Sequence, residues 1–472
     1  MITLTLALLL GTLALSPVDD VAFQNGELLH QPRFDGVVLT LLPDEDCELR
    51  VEYGHFPHKT KRKLAQPVLA GELATFDLDR LRAGERYQYQ VSVRRPGDQL
   101  WQQRELHGFE TLKPPGRPVR FAVAADTHAW AVWSYYSAPP IGGGGGVPQG
   151  FDYLEATMSQ LEAAPERHDF VVLGTDTAMT KCSACVQKGA PGGIVQAGNS
   201  TTVDDAKLRY RWVLSEKLMG RIGADAPLLV GLGDHDGEQG WNATITGVSR
   251  AARLAHLPDP GYWFSVRTGD ALIVMLNVHV AVTAKPIAPE DWTLGADQFF
   301  WLARTLAESD APIKIVMAEH ILGGHKSPTA QVWKARGGLR ATDTGLPSGT
   351  FLGEQAQLHE LLVAHDVDVF MSFHDHVVTH GIKDGVSYLI GGRSSGIGNA
   401  WINQQWYRDA MDYDLDGTPE FETDVSGTVK PGIFEVTVED GSARFDYVLV
   451  SPDPSVDGTV LLSYTVGAEA AR

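Results

Sequence analysis

The sequence predicts a two-part chain, an all-β sandwich followed by a larger α/β domain. Three observations carry that expectation. Residues 34–111 read as short strands separated by turn residues. After Arg120, apolar runs of strand length alternate with stretches of helical spacing, the pattern of an α/β domain. Five of those apolar runs are each followed closely by an Asp or a His.

In the first part, Val37–Leu42 and Cys47–Tyr53 are β-rich and bounded by Pro, Asp and Gly. Leu81-Arg-Ala-Gly-Glu-Arg then leads into the alternating Tyr87, Tyr89, Val91 and Val93. A glycine-bearing turn before a tyrosine that opens such a strand resembles the tyrosine corner of immunoglobulin-like sandwiches, and the segment is similar to a fibronectin type III domain over residues 28–113. Pro114, Pro115 and Pro118 form a stiff linker. The second part is expected over residues 119–452, with a tail at 453–472. Its strands are the runs Phe121–Ala125, Phe170–Leu173, Leu228–Val230, Ala271–Leu276, Ile313–Met317 and Val367–Met371. Asp297–Leu306 and Glu354–Ala364 carry amphipathic helix spacing, and Asp204-Asp205 reads as a solvated helix start. Gly142–Gly146 and Cys182–Asn199 interrupt the pattern as loops.

At 472 residues, with 43% hydrophobic and 21% charged side chains, the chain can bury two large cores. A net charge of −20 argues against wrapping a nucleic acid, which is bound through a surplus of Lys and Arg. It leaves room for a small phosphorylated substrate, because bound cations supply positive charge locally. Residues 1–16 contain no charged side chain and are short of the roughly 20 residues of a membrane span. They read as a secretory signal, which places the protein in a secreted or periplasmic compartment, with an apolar N-terminal arm as the alternative. No later segment reads as a membrane span. Three cysteines exclude a disulfide-built scaffold. Cys182 and Cys185 form a CxxC whose best reading is a local disulfide, with a redox pair or half a zinc site as alternatives.

The chemistry sits at the strand ends. Asp126 and His128 follow the first apolar run, Asp176 the second and Asp234-His235-Asp236 the third. His320 follows Ile313–Met317, and His374-Asp375-His376 follows Val367–Met371. Carboxyl ends of strands are where α/β proteins place binding groups. Carboxylate oxygen and neutral imidazole are ligands of Zn, Mn and Fe. On extended backbone, Asp126-x-His128 and His374-x-His376 would each point both side chains the same way. Two such pairs plus single ligands exceed what one ion needs, so the count favours two metals. Of the 16 histidines, His30, His256 and His279 are among those that receive no role. Trp130, Trp133, Tyr135 and Tyr136 read equally as a pocket floor or as packing.

In this order the residues resemble the calcineurin-like metallophosphoesterases, over roughly residues 34–450. The β-sandwich ahead of them and Gln298-x-x-Trp301-Leu302 resemble the purple acid phosphatase branch. The resemblance implies a four-layer α/β/β/α sandwich, two divalent metal ions (Fe, Zn or Mn) and hydrolysis of a phosphomonoester or phosphodiester. It implies that Asp126, His128 and His376 hold the first metal, that Asp176 bridges, and that Asp234, His320 and His374 hold the second. His235 would give a proton to the leaving group, and His325 is a weaker candidate for substrate contact.

The chain departs from that pattern at four places. Thr175 precedes the bridging Asp in place of Gly, Met179 stands where purple enzymes carry an iron-binding Tyr, and Phe373 replaces Gly before His374. Asp234 replaces Asn. A third carboxylate leaves two divalent ions with one net positive charge rather than two, which weakens the centre as a Lewis acid or favours a trivalent ion at the second position. A metal-loaded binding or surface protein with little hydrolase activity is therefore the alternative reading.

Overall fold

The structure, a computed structural model, describes residues 21–57, 62–128, 132–133, 150–163, 168–178, 180–181, 185–186, 199–216, 218–258, 261–284, 293–320, 354–374, 376–394, 426–428 and 430–467. The apolar residues 1–16, the five-glycine run, Trp130, Tyr135, Tyr136, Met179, Cys182 and His325 lie outside the described residues, as do the side chains of Trp133 and Cys185.

Seven strands come first: β1 (Phe23–Arg33), β2 (Gly36–Pro43), β3 (Cys47–His55), β4 (Arg62–Val68), β5 (Ala74–Leu78), β6 (Arg86–Arg94) and β7 (Gln102–Glu110). They form two layers. One is the four-stranded sheet β4-β3-β6-β7, and the other is β1-β2-β5. Alternation does the packing: Cys47, Leu49, Val51 and Tyr53 of β3 point into one cluster with Leu39, Phe76, Tyr89 and Phe109. The Tyr87 hydroxyl accepts the Arg82 amide at 2.8 Å, the bond a tyrosine corner makes with the backbone upstream.

The second part holds β8 (Val119–Ala124), β9 (Val132–Trp133), α1 (Gly150–Ala163), β10 (Phe170–Leu173), β11 (Cys185–Val186), α2 (Val203–Val213), α3 (Met219–Gly223), β12 (Leu228–Val230), α4 (Ala243–Leu254), β13 (Phe264–Thr268), β14 (Ala271–Met275), α5 (Ala296–Glu308) and β15 (Ile313–Ala318). It continues through α6 (Glu354–Ala364), β16 (Val369–Ser372), β17 (Val378–Lys383), β18 (Val386–Gly391), β19 (Ser426–Thr428), β20 (Gly432–Glu439), β21 (Ser442–Leu449) and β22 (Val460–Gly467). One sheet runs β22-β21-β20-β8-β10-β12-β1-β2-β5, and a second runs β13-β14-β15-β16-β18-β17-β19. Residues 460–467, expected as tail, are an edge strand paired with β21.

The period of two sorts the side chains. Phe121 and Val123 of β8 meet Ile313, Ile315 and Met317 of β15 in the core shared by the two sheets. Their neighbours Ala122 and Ala124 face a cluster with Leu154, Tyr210 and Ile222 of α1, α2 and α3. Val316 and Phe370 face Leu302 and Leu306 of α5 and Leu358 and Leu362 of α6. Helix α2 starts at a Thr202 cap, whose hydroxyl accepts the Asp205 amide at 3.2 Å. Asp205 is not solvated as expected: it is buried, with Arg209 one turn along.

The two parts share a sheet. β1 pairs with β12 in parallel at His30 and Leu228, and with β2 in antiparallel. Besides Leu28, which packs into the helix-side cluster of the second part, polar contacts cross the seam. Asn25 donates to the His256 carbonyl and accepts from the His256 ring, both at 3.1 Å, and the Tyr89 hydroxyl donates to the Ala224 carbonyl at 2.7 Å. Arg104 spans Glu27 and Glu216.

Candidate metal centre

Strands β8, β10 and β12 are parallel, as are β14, β15 and β16, so their carboxyl ends open on one side of each sheet. The residues following those ends converge. Asp126, His128 and His376 form one group, and His128, Asp176 and His235 a second. Asp176, Asp234, Glu319 and His374 form a third group, and His279, Glu319 and His320 a fourth. Within each group the ligand atoms lie within 4.8 Å of one another. All seven residues expected as ligands are therefore brought together, with His235 among them. Glu319 and His279 are additions. His320 groups with those two, and its ring stacks on His374 at 4.1 Å.

The route to convergence differs from the extended pairs expected. Asp126, His128, Asp176, His374 and His376 all have positive φ, between 40° and 66°. They account for five of the ten described non-glycine residues in that state. Left-handed backbone costs a non-glycine residue about 1–2 kcal/mol, and such strain gathers at functional sites. The side chains are turned inward by left-handed turns beyond the strand ends, not by strand alternation. His128 Nε2 and His376 Nε2 face each other at 2.9 Å, each 3.5 Å from Asp126 Oδ1.

Hydrogen bonds lock the loops. The His235 amide donates to Asp176 Oδ1 at 2.8 Å and the His374 amide to Asp126 Oδ2 at 3.0 Å. Asp236 stands outside those ligand groups. Its carboxylate accepts the amides of Gly233, Thr177 and Ala178 at 3.0, 3.3 and 2.7 Å, tying the Asp176 loop to the Asp234 loop. Glycine is required at 233, where a Cβ would fall 2.2 Å from Asp176 Oδ1 and 2.9 Å from Glu319 Oε2. Phe373, wholly buried, replaces the expected glycine because room is made elsewhere. A Cβ on Gly174 would lie 3.0 Å from its ring, and one on Gly391 2.7 Å.

The electrostatics call for a cation. Asp126 Oδ1, Asp176 Oδ2, Asp234 Oδ1 and Glu319 Oε2 are buried and accept no hydrogen bond among the described residues. Buried unpaired carboxylates are costly unless they are paired or coordinate a metal. Burial first, then the charges of Glu319, Asp234 and Asp126, push the Asp176 carboxyl well above the carboxylate range. Burial, joined by the charges of Asp126 and Asp234, pushes Glu319 up to about 8 against the pull of its His374 hydrogen bond. Asp234 goes the other way. Burial raises it, but His235, His374 and Lys181 together hold it well below the usual range. Burial lowers the His279 imidazole to about 3, leaving it neutral, the form that ligates metals. The residues present fit divalent metal ions held by oxygen and imidazole.

Glu319 was open to sequence reading in one respect, since it directly follows β15 as His320 does, but a lone Glu after a strand carries no spacing signal. His279 lies further out, beyond the end of β14 at Met275, and carries still less of a signal.

No known protein-family signature matches the sequence, and no curated protein does. Solved structures do resemble the fold. PhoD is 14% identical with a TM-score of 0.66, the match covering 95% of this chain and 91% of PhoD. The purple acid phosphatase PPD1 from yellow lupin (Lupinus luteus) seeds is 16% identical with a TM-score of 0.58, the match covering 93% of this chain and 74% of that one. The fold is that of a purple acid phosphatase-like metallophosphoesterase joined to a β domain. Among the described residues no helix is long and apolar enough to cross a membrane.

Proposed function

We propose that this protein is a metal-dependent phosphoesterase with a binuclear centre. The observation that carries the reading is the cluster of four buried carboxylate oxygens without hydrogen-bond donors, interleaved with imidazoles. Asp126, His128 and His376 would hold one divalent ion. Asp234, His320 and His374 would hold the other with Asp176 between, and Glu319 is an added ligand candidate. When bound, such ions lower the pKa of a water and neutralise charge on phosphate oxygens.

The chain's own groups supply the rest. The His235 Nδ1 lies 2.6 Å from the Lys181 carbonyl, which can only accept, so Nδ1 carries a proton. With Nδ1 so occupied, it is the imidazolium form of His235, protonated on Nε2 as well, that would give its Nε2 proton to the departing alcohol oxygen and be left neutral. The His235 ring lies 5.2 Å from that of His128, within reach of a phosphate ester seated on the cluster. Asp236 keeps the Asp176 and Asp234 loops in register during turnover. Export from the cytoplasm, on residues 1–16, and a fibronectin type III-like identity for residues 28–113, on the Tyr87 hydrogen bond, belong to the same proposal.

The extra carboxylates Asp234 and Glu319 favour a second reading, a metal-loaded binding protein with little turnover. Purified protein supplied with Mn or Zn is assayed on an aryl phosphate and on a bis-aryl phosphate, alongside metal analysis. Turnover lost in both Asp176→Asn and His235→Ala supports the enzyme. Bound metal without turnover on either substrate supports the binder, and absence of bound metal defeats both.

A further inference from the structure

We propose that Lys181 is a built-in counter-charge that lets Asp234 serve as a one-oxygen, electrically neutral ligand, so that the Asp234–Lys181 pair acts as an asparagine would. The inference rests on the reading that the cluster holds metal.

The two oxygens of Asp234 are used differently. Oδ2 accepts from Lys181 Nζ at 2.8 Å and from Gln239 Nε2 at 3.3 Å. Oδ1 is buried and accepts no hydrogen bond among the described residues; it lies 3.5 Å from His374 Nδ1, in the group with Asp176, Glu319 and His374. One oxygen thus turns toward the metal-ligand group and the other toward a cation. An asparagine divides its amide the same way, with one oxygen to offer and a neutral NH₂ beyond it. A bare aspartate would bring a full negative charge to the centre, whereas the ion pair brings none.

Lys181 is held for this task. Its amide donates to the His235 carbonyl at 2.8 Å, and its own carbonyl accepts from the His235 ring at 2.6 Å. The segment is therefore pinned to the residue next to Asp234, and the ammonium has a short path to Oδ2. The side chains of Lys181 and Asp234 are 29% and 15% exposed, so water screens the pair only in part. Lys181 is a positioning residue: it acts on the metal through Asp234.

The test is a cycle on the full-length protein, with Mn(II) affinity read by competition against a chromophoric chelator. Lys181→Met leaves Asp234 uncompensated and should tighten Mn(II) binding by about tenfold or more. Asp234→Asn leaves an ammonium beside the ion and should weaken it by a similar factor. The double variant Lys181→Met/Asp234→Asn should return to within about threefold of wild type, and Lys181→Arg, which keeps the charge, should match wild type. A tightening on removal of a side chain is a change that loss of a merely structural contact does not produce. A double variant that stays well outside threefold of wild type, or an unchanged affinity in Lys181→Met, overturns this inference while leaving the phosphoesterase reading in place. A wild-type protein that binds no Mn(II) overturns both.

Discussion

Replacing Gly391 by alanine tests the packing that lets Phe373 stand beside the candidate ligands. Gly391 ends β18 without positive φ, so alanine suits its backbone. Its Cβ would fall 2.7 Å from both Cδ1 and Cε1 of Phe373, well inside the 3.4 Å at which ordinary contact begins. The ring belongs to the core between the two sheets and is 0% exposed, so it has no solvent to swing into. Overpacking of this kind costs about 1–3 kcal/mol, and a rigid ring places the variant near 3. Phe373→Ala alone costs about 3–5 kcal/mol through the cavity it leaves. In that background the added methyl has room, so Gly391→Ala should become neutral to within about 0.5 kcal/mol. Urea unfolding at constant m reads all three variants. Because the Phe373 amide donates to the Glu319 carbonyl at 2.9 Å, Gly391→Ala should also weaken metal binding. Strict additivity of the two substitutions would refute the reasoning.

Acidification should destabilise the fold through His30. Burial holds its imidazole at about 4, so the folded state stays neutral while the unfolded chain takes up a proton below about 6.5. This contribution is fully present above pH 6.5 and falls by about 3 kcal/mol as pH drops to 4, with His256 adding in the same direction. His30→Leu should show a shallower stability slope between pH 7 and 5, and matching slopes would count against it. Tyr87→Phe should lose about 1 kcal/mol in thermal unfolding as the Arg82 amide gives up its partner; an unchanged midpoint argues against the corner. Gly233→Ala should fold yet bind metal at least about tenfold more weakly, because its Cβ takes the space of Asp176 Oδ1; wild-type affinity would show that the loop yields.

Much of the site was legible because it is periodic. Near-continuous apolar runs alternating with helical stretches mark β8, β10, β14 and β15, and an Asp or His just beyond an apolar run stands out against that pattern. What escaped was set by backbone conformation or by long-range contact. The left-handed φ of Asp126, His128, Asp176, His374 and His376 has only a weak signature in residue type, since Asp and His are enriched in that state yet are also ordinary in extended backbone. Lys181 meets Asp234 across 53 residues, and Glu319 gains meaning only from the groups around its carboxylate. The shared sheet was hidden too, because a proline-rich linker after residue 113 reads as a boundary while the bridging strand, β1, lies far upstream at Phe23–Arg33. In the second part the strand ends Ala124, Leu173 and Val230 fell within a residue of expectation, because a run of buried strand is bounded by the loop that follows.

Because β1 completes the sheet beside β12, the front of this chain is not a detachable accessory. A fragment starting at Val119 would inherit a raw edge of unpaired backbone groups, lose Leu28 from its helix-side cluster and strand His256 without Asn25. Such an edge recruits a strand from another copy, so the shortened protein should aggregate rather than stand alone. The two halves are bound to be inherited as one piece, and any exchange of the front half between proteins must carry a strand that pairs with Leu228 in the same register.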